Sequence, residues 1–360
     1  MTEPIPLAVH PSEFPPRVRA EALAALRAGR VPGMLLYQSP AQAERWLAYH
    51  RAYSPSRADG AVQALYGEAF AEAAGRYAGQ PLRYVSLGCG GGVKDRQFLE
   101  ARLEARLDER LEVPLEHRRA GSAPTPTDPL EDPRRTAYLP LDASPALVME
   151  AALEVRGAFP ELPIHPLVAD LSAEPGLAGW LEGTGLRDGA STLATCFGML
   201  PNLDPETFPA YLFRLLGEGD RLLVSANLSP GGYAADRRTI LAQYDNPEAR
   251  AWYGGALREL GLDPDAVSLE IGAQPLPGAG KDGSAWRIVV DAVCGRRVEL
   301  ALFGERIAIA PGHRLRVFHS NRFTPEAAER LWTGARFRIE RSWIDPSGEE
   351  GIYLCEKSVR

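Results

Sequence analysis

Residues 84–95 read YVSLGCGGGVKD: a short apolar strand, four glycines within five residues, then a lysine and an aspartate. Glycine inside a regular element is destabilising by roughly 0.5–1 kcal/mol relative to alanine. A cluster such as Gly88, Gly90, Gly91 and Gly92 therefore answers a local demand. Either the chain turns tightly through positive φ, or a ligand must touch the backbone. A strand, a glycine turn and a helix start make a corner whose free N–H groups and bare backbone admit close approach.

Working outward, the corner opens an alternation of strand and helix. YVSLGC precedes the helical KDRQFLEARLEARLDERL, and AYLPLD precedes SPALVMEAALEVRGAF. PIHPLVADL, TLATCFGML and RLLVSANL read as further apolar strands, with PETFPAYLFRLLG a helix between the last two. Buried apolar strands alternating with helices predict a parallel sheet covered on both faces. Within 94–111, Leu99, Leu103, Leu107 and Leu111 recur every fourth residue and are expected to pack on that sheet. The first 58 residues read as mainly helical, and 237–261 as helical. From 284 the pattern changes: WRIVVDAV, RRVELALFG, ERIAIAP and RLRVFHSNRF follow at short spacing, as antiparallel strands do. A last helix, TPEAAERLWTGA, and two strands close the chain. Residues 112–135, rich in proline and charge, read as a flexible surface insertion.

Composition narrows the function classes. Hydrophobic residues make up 45% and charged residues 24%, as in soluble globular proteins. A formal net charge of −7 argues against nucleic acid as a partner. No apolar run approaches the roughly 20 residues that span a bilayer, and the N-terminus lacks a signal-peptide pattern. The scattered Cys89, Cys196, Cys294 and Cys355 read as free thiols of a cytoplasmic protein. With the histidines equally scattered, no metal is expected.

Candidate ligand residues sit at the strand ends. A dinucleotide fingerprint requires Gly or Ala where Val93 stands, which disfavours a nicotinamide-dependent oxidoreductase. The G-x-G-x-G pattern of Gly88, Gly90 and Gly92 instead resembles the first motif of class I S-adenosylmethionine-dependent methyltransferases. In YLPLDASP, Asp142 ends the second strand, where such a fold uses a carboxylate to accept both ribose hydroxyls. Ser144 and Pro145 already supply the cap and first residue of the next helix, so capping does not require Asp142. In VADLS, Asp170 ends the third strand, at the adenine side.

Several segments together resemble the ergothioneine-pathway histidine N-alpha-methyltransferases: LLYQ, AYSPSR, LGCGGGVKD, LPLDAS, GMLPNLDPE, QYDNPEARAWY, SNRFTPE and WIDPSGEEG. The resemblance runs from about residue 33 to the end, outside the 112–135 insertion. It implies that Gly88, Gly90, Lys94, Asp142 and Asp170 hold the donor, S-adenosylmethionine. It also implies that Tyr53, Asn202 and Tyr244 hold the amino-acid part of a small-molecule acceptor and act catalytically by aligning its amine, with Tyr37 nearby. Phenol and amide groups bind carboxylate and amine without adding charge. Alignment and water exclusion then supply most of the catalysis, without a strong base.

The acceptor strand departs from the family. In histidine-methylating members a glutamate and a serine two residues apart bind the imidazole. Here Ser320 remains, but Phe318 replaces the glutamate, and alternation turns His319 to the other face. Val290 also stands where those members carry a larger residue. Losing the carboxylate removes a charge-assisted hydrogen bond worth roughly 1.5–3 kcal/mol. GMLPN is one residue short, with Pro201 before Asn202, and Asn227 replaces the acid usual at its strand end.

The expectation is an α/β protein: a Rossmann-like class I methyltransferase sheet (59–235 plus 324–360) with a smaller α+β substrate domain (236–323). Residues 1–58 would pack on that second domain. The predicted activity is methyl transfer to the α-amine of an amino acid or derivative, aromatic or apolar in its side chain, with Tyr37, Val290, Phe318 and Ser320 lining the pocket. Histidine or a modified histidine is the alternative acceptor. A catalytically silent ligand- or partner-binding protein is the alternative of another class.

Overall fold

The computed structural model describes residues 4–54, 59–112, 136–171, 177, 179, 190–276 and 283–357. Strands β1 (Ala8–Val9), β2 (Leu82–Leu87), β3 (Thr136–Asp142), β4 (Leu167–Val168), β5 (Ser191–Cys196) and β6 (Arg221–Asn227) run parallel, in the order β1-β4-β3-β2-β5-β6. A separate antiparallel sheet holds β7 (Val267–Pro275), β8 (Ala285–Cys294) and β11 (Arg314–Phe323), with β8 central. The hairpin of β9 (Val298–Leu302) and β10 (Glu305–Ile309) lies between β8 and β11 in sequence. The chain then returns to the main sheet: β13 (Glu350–Lys357) runs antiparallel beside β6, and β12 (Phe337–Ile344) forms the edge. The chain winds from β2 outward to β4, then crosses back to β5, so the strand order reverses between β2 and β5. Ligands of such sheets bind at the carboxyl ends of the strands flanking that reversal.

The helices are α1 (Pro15–Arg27), α2 (Pro40–Tyr53), α3 (Gly60–Gly75), α4 (Val93–Glu112), α5 (Pro145–Ala158), α6 (Phe208–Leu215), α7 (Gly232–Ala242), α8 (Pro247–Glu259) and α9 (Pro325–Gly334). Helices α2, α5, α8 and α9 start with one device: a side-chain cap from Ser39, Ser144, Asn246 or Thr324, followed by proline. The cap satisfies an orphan N–H, and proline there gives up only an N–H that has no helical partner.

Two cores cover the main sheet. Val62, Tyr66 and Phe70 of α3 and Phe98 of α4 pack with Tyr84, Tyr138 and Leu223 on one face. Phe208 and Leu212 of α6 and Trp332 of α9 pack with Leu139, Leu141 and Val224 on the other. Burial of both faces explains the near-continuous apolar strands. A third core joins the antiparallel sheet (Trp286, Ile288, Val290) to α8 (Trp252, Tyr253, Leu257) and the N-terminal Leu26, Leu36 and Tyr49.

Two expectations change. PIHPLVADL contributes only Leu167–Val168 as strand, because loop segments flank that pair. The leucine stripe of α4 does not hold: Leu99 is buried, but Leu103 is 49% exposed. A step of four residues drifts by about 40° around a helix, so the buried face follows Asp95, Phe98, Leu99 and Arg102 instead. Leu107 and Leu111 lie outside the described side chains, and residues 113–135, where the insertion is expected, lie outside the described residues. Strand β1 had no signal in the sequence; its two residues pair with β4 at the sheet edge.

Candidate functional site

The glycine corner sits at the strand reversal. Gly88 and Cys89 both donate to the Leu141 carbonyl (2.8 and 3.1 Å), tying the loop to the end of β3. Gly88, Gly90, Gly91 and Gly92 all have positive φ. Two of them are also sterically fixed: a Cβ on Gly88 would stand 2.6 Å from Met199 Cγ, and one on Gly92 2.6 Å from Ala151 Cα in α5. Over Gly90 lies the Trp46 ring of α2, 3.1 Å from where a Cβ would be. The glycines therefore serve the turn and close packing at once, leaving bare backbone at the sheet's carboxyl edge. Helix α4 is anchored below the corner by buried Asp95, whose carboxylate accepts from Tyr84 (2.8 Å) and Tyr138.

Acidic groups gather on the β3 side. Asp142 ends β3 and accepts from the Ser144 N–H at 2.9 Å. Burial pushes its pKa up to about 6, against the opposing pull of the Ser144, Gly90 and Ala143 N–H groups. Ser144 itself caps α5, accepting from Leu147 N. Asp170 donates its N–H to Ser12 Oγ at 3.1 Å, so the N-terminal segment closes over this side. Next to Ser12, Glu13 accepts from Gln38 Nε2 at 2.9 Å. Burial, then the charges of Asp170, Glu21 and Asp142, push the Glu13 pKa up to about 7. The Tyr37 phenol is raised above its usual range by burial and by Asp142. Lys94, in the first turn of α4, places Nζ 3.8 Å from the Tyr66 ring centre. Tyr66 in turn donates to Glu350 Oε1 at 2.5 Å.

The second cluster lies on β11 and α8. Phe318 and Ser320 share a face, with Val290 paired opposite Phe318 and fully buried. The Phe318 ring stacks on Tyr244 and Tyr253 (centroids 6.3 and 5.8 Å) and meets Trp252 edge-on at 5.2 Å. Tyr244 Oη and Ser320 Oγ are 2.9 Å apart, and Tyr244 Oη also accepts from Arg322 Nη2 at 3.0 Å. Tyr37 reaches this wall through Trp252, at 5.6 Å. Asn202 donates to the Gly198 carbonyl at 3.4 Å, while its Oδ1 is buried without a hydrogen-bond partner. Asn321 Nδ2 donates to the Leu203 carbonyl at 2.9 Å, holding the Asn202 turn against β11. Tyr53 stands apart in its bonding: its hydroxyl donates to Glu248 Oε2 at 2.9 Å. His319 faces away, where burial and the charges of Arg287, Arg316 and Arg30 lower its pKa to about 4.

The structure thus forms two groups, one of Gly88, Gly90, Asp142 and Asp170 with Tyr37, the other of Val290, Phe318, Ser320 and Tyr244. Tyr37 lies between them, its ring against Trp46, which covers Gly90, and against Trp252, which meets Phe318. Arg322, Tyr253 and Glu13 are additions. Strand alternation from Phe318 through Ser320 points to Arg322; Glu13 precedes every recognisable motif. No group of three or more His, Cys, Asp or Glu among the described residues is arranged to hold a metal. No described helix is long and apolar enough to cross a membrane.

Residues 44–357 match the family described as histidine-specific methyltransferase, SAM-dependent. No curated protein sequence matches the chain. Solved structures similar to it include a putative methyltransferase from Thermobifida fusca YX (11% identity, 91% of this chain and 93% of that one, TM-score 0.42). Another is an S-adenosylmethionine-dependent methyltransferase from Clostridium acetobutylicum ATCC 824 (12%, 88% and 98%, 0.41). A third is Burkholderia thailandensis 1,6-didemethyltoxoflavin-N1-methyltransferase (13%, 88% and 88%, 0.40). At these TM-scores the likenesses carry no argument; the family match does.

Proposed function

Since the chain belongs to the SAM-dependent histidine-specific methyltransferase family, we propose that it methylates the α-amine of an amino acid or close derivative whose side chain is aromatic or apolar. The observation that carries this reading is the wall around Phe318. It is built of Tyr244, Trp252, Tyr253 and Val290, and Phe318 stands where imidazole recognition would need a carboxylate. An apolar ring leaves an imidazole N–H unpaired, and an unpaired buried donor costs about 1–3 kcal/mol.

The residues fit the donor. The bare backbone of the Gly88–Gly92 loop admits close approach, and the ionised Asp142 carboxylate suits a pair of ribose hydroxyls. Asp170 and Tyr37 would lie on the adenosine side. Bound S-adenosylmethionine supplies an electrophilic methyl on a sulfonium. The chain's own groups orient the amine: Asn202 Oδ1, buried and unpartnered, is set to accept an ammonium or amine N–H. Tyr244 Oη addresses the carboxylate, and Ser320 the edge of the side chain. Tyr53 joins only by exchanging its bond to Glu248. Deprotonation needs no strong base, since a neutral amine is accessible near neutral pH once its lone pair is aligned in a water-excluding cleft. That cleft would lie between the main sheet and a smaller substrate domain of residues 236–323.

The test is calorimetry with S-adenosylhomocysteine present, scanning tryptophan, tyrosine, phenylalanine, leucine and histidine, each followed by mass-spectrometric detection of added methyl groups. Preference for an aromatic or apolar amino acid supports the reading. Preference for histidine, which the family description favours, overturns the assignment of Phe318 and leaves the methyl transfer itself standing.

A further inference from the structure

Arg322 is an arginine in an unusual position. It is 4% exposed, and no carboxylate lies within ion-pair distance of it among the described residues. Its guanidinium makes one bond of ordinary length, Nη2 to Tyr244 Oη at 3.0 Å, and two long contacts, Nη2 to Gln243 Oε1 and Nη1 to the Leu228 carbonyl, both at 3.4 Å. Nε is buried with no partner. The nearby negative charges act only from a distance. Glu350, bonded to Tyr66, feels both Lys94 and Arg322, and Glu349 is engaged by Gln243 Nε2 at 2.6 Å. At the end of β6 the neutral Asn227 donates from Nδ2 to the same Tyr244 hydroxyl at 3.5 Å, so it brings no charge to this cluster. A buried charge is unfavourable unless it is paired, so this one is poised for an anion.

Alternation puts Phe318, Ser320 and Arg322 on one face of β11. The Tyr244 hydroxyl lies between Ser320 and Arg322, bonded to both. We propose that Arg322 is a binding residue for the acceptor's carboxylate, acting beside Tyr244 and supplying the positive charge that phenol and amide groups lack. This rests on the amino-acid acceptor reading above. It adds that the acceptor must be anionic at that end: amines, esters and amides of the same side chain are discriminated against by charge and not only by shape. The donor also carries a carboxylate, and the experiment separates the two sources.

The amino acid methylated fastest in the scan and its methyl ester are compared on the unmodified enzyme, Arg322→Gln, Arg322→Lys and Asn227→Asp. Calorimetry with S-adenosylhomocysteine present gives acceptor affinity, and titration of S-adenosylhomocysteine alone gives donor affinity. Loss of a charge-assisted bond should weaken the free amino acid roughly ten- to a hundredfold in Arg322→Gln, with the loss in KM and little change in the ester. Arg322→Lys should recover part of it. Asn227→Asp keeps the arginine but sets a carboxylate across the shared Tyr244 hydroxyl from it, offsetting its charge, and should reduce acid-over-ester preference without altering the fold, which keeps the proposal testable if Arg322→Gln fails to fold. Unchanged acid-over-ester preference in folded Arg322→Gln and Asn227→Asp refutes the proposal. So does a loss confined to S-adenosylhomocysteine, which would assign Arg322 to the donor. If the unmodified enzyme binds and methylates no amino acid, the acceptor reading itself fails instead.

Discussion

Replacing Phe318 with glutamate should redirect the acceptor preference toward histidine. The ring is 9% exposed and touches Tyr244, Tyr253 and Trp252. Removing it forfeits an aromatic contact worth about 0.5–1.5 kcal/mol to an aromatic acceptor. The new carboxylate would accept an imidazole N–H, a charge-assisted bond worth about 1.5–3 kcal/mol. The two effects favour histidine together, so the ratio of kcat/KM for histidine over tryptophan should rise by about 2–4.5 kcal/mol, or roughly thirty- to two-thousandfold. Burial raises a carboxyl pKa, so the assay belongs at mildly alkaline pH, where the introduced carboxyl group is ionised. Mass spectrometry on a mixture of both amino acids reads the ratio directly. The thermal midpoint and S-adenosylhomocysteine affinity report whether the core tolerates the change. A folded Phe318→Glu that binds S-adenosylhomocysteine normally, yet shows no shift in the ratio, would mean Phe318 only fills core.

Three other outcomes are expected. If Asp142 holds the ribose as proposed, its ionised form is the one that accepts two hydroxyls, and its pKa is raised to about 6; S-adenosylhomocysteine affinity should be level above that pH and decline as pH falls through it. In Asp142→Asn titrations this pH dependence should vanish and affinity should be roughly tenfold or more lower at pH 8; a retained pH dependence would assign it to another group. Gly92→Ala should destabilise more than Gly91→Ala in thermal denaturation. Both carry the left-handed penalty of roughly 1–2 kcal/mol, but only at Gly92 does a Cβ meet backbone, at 2.6 Å against 3.8 Å from a leucine methyl at Gly91; equal losses would show that α5 moves freely. His319 has its pKa lowered to about 4 from an ordinary 6.5, so between these values the unfolded chain binds more protons than the folded one. Its contribution is therefore intact above pH 6.5 and is lost as pH falls toward 4. Urea denaturation of His319→Gln should show a smaller drop from pH 7.5 to pH 5 than the parent, and an identical drop would exclude His319 as a source of acid lability.

Much of the glycine corner was legible from local chemistry. A strand ending in clustered glycines, followed by a second strand ending in Asp142 and a ready-made cap at Ser144, describes a corner through residues close in sequence. Turn and cap preferences are properties of short segments, so no distant contact was needed to see them. The shared face of Phe318 and Ser320 follows from the two-residue period of a strand in the same way. The α4 stripe misled because a four-residue repeat resembles a helix face without being one: the drift carried Leu103 into solvent while Arg102, of a type seldom found in cores, turned inward to bond the Tyr77 and Gln80 carbonyls.

Other features depend on contacts across long separations. Glu13 meets Asp142 and Asp170 only because a two-residue strand at Ala8–Val9 adds to the far edge of the sheet. Tyr53 reads as a free phenol in sequence, yet its hydroxyl is bonded to Glu248, 195 residues away. Arg322 looks like any strand arginine until the Leu228 carbonyl after β6 and Gln243 and Tyr244 of the α7–α8 region surround it, none offering a charge. Sequence alone carries the strand–turn–helix order, the glycine corner and the face on which Phe318 stands, since these arise from backbone periodicity and turn chemistry over a few residues. Which phenols are free, which charges are unpaired and which carboxylates repel one another are set by burial and by distances between remote segments, and those exist only once the chain has folded.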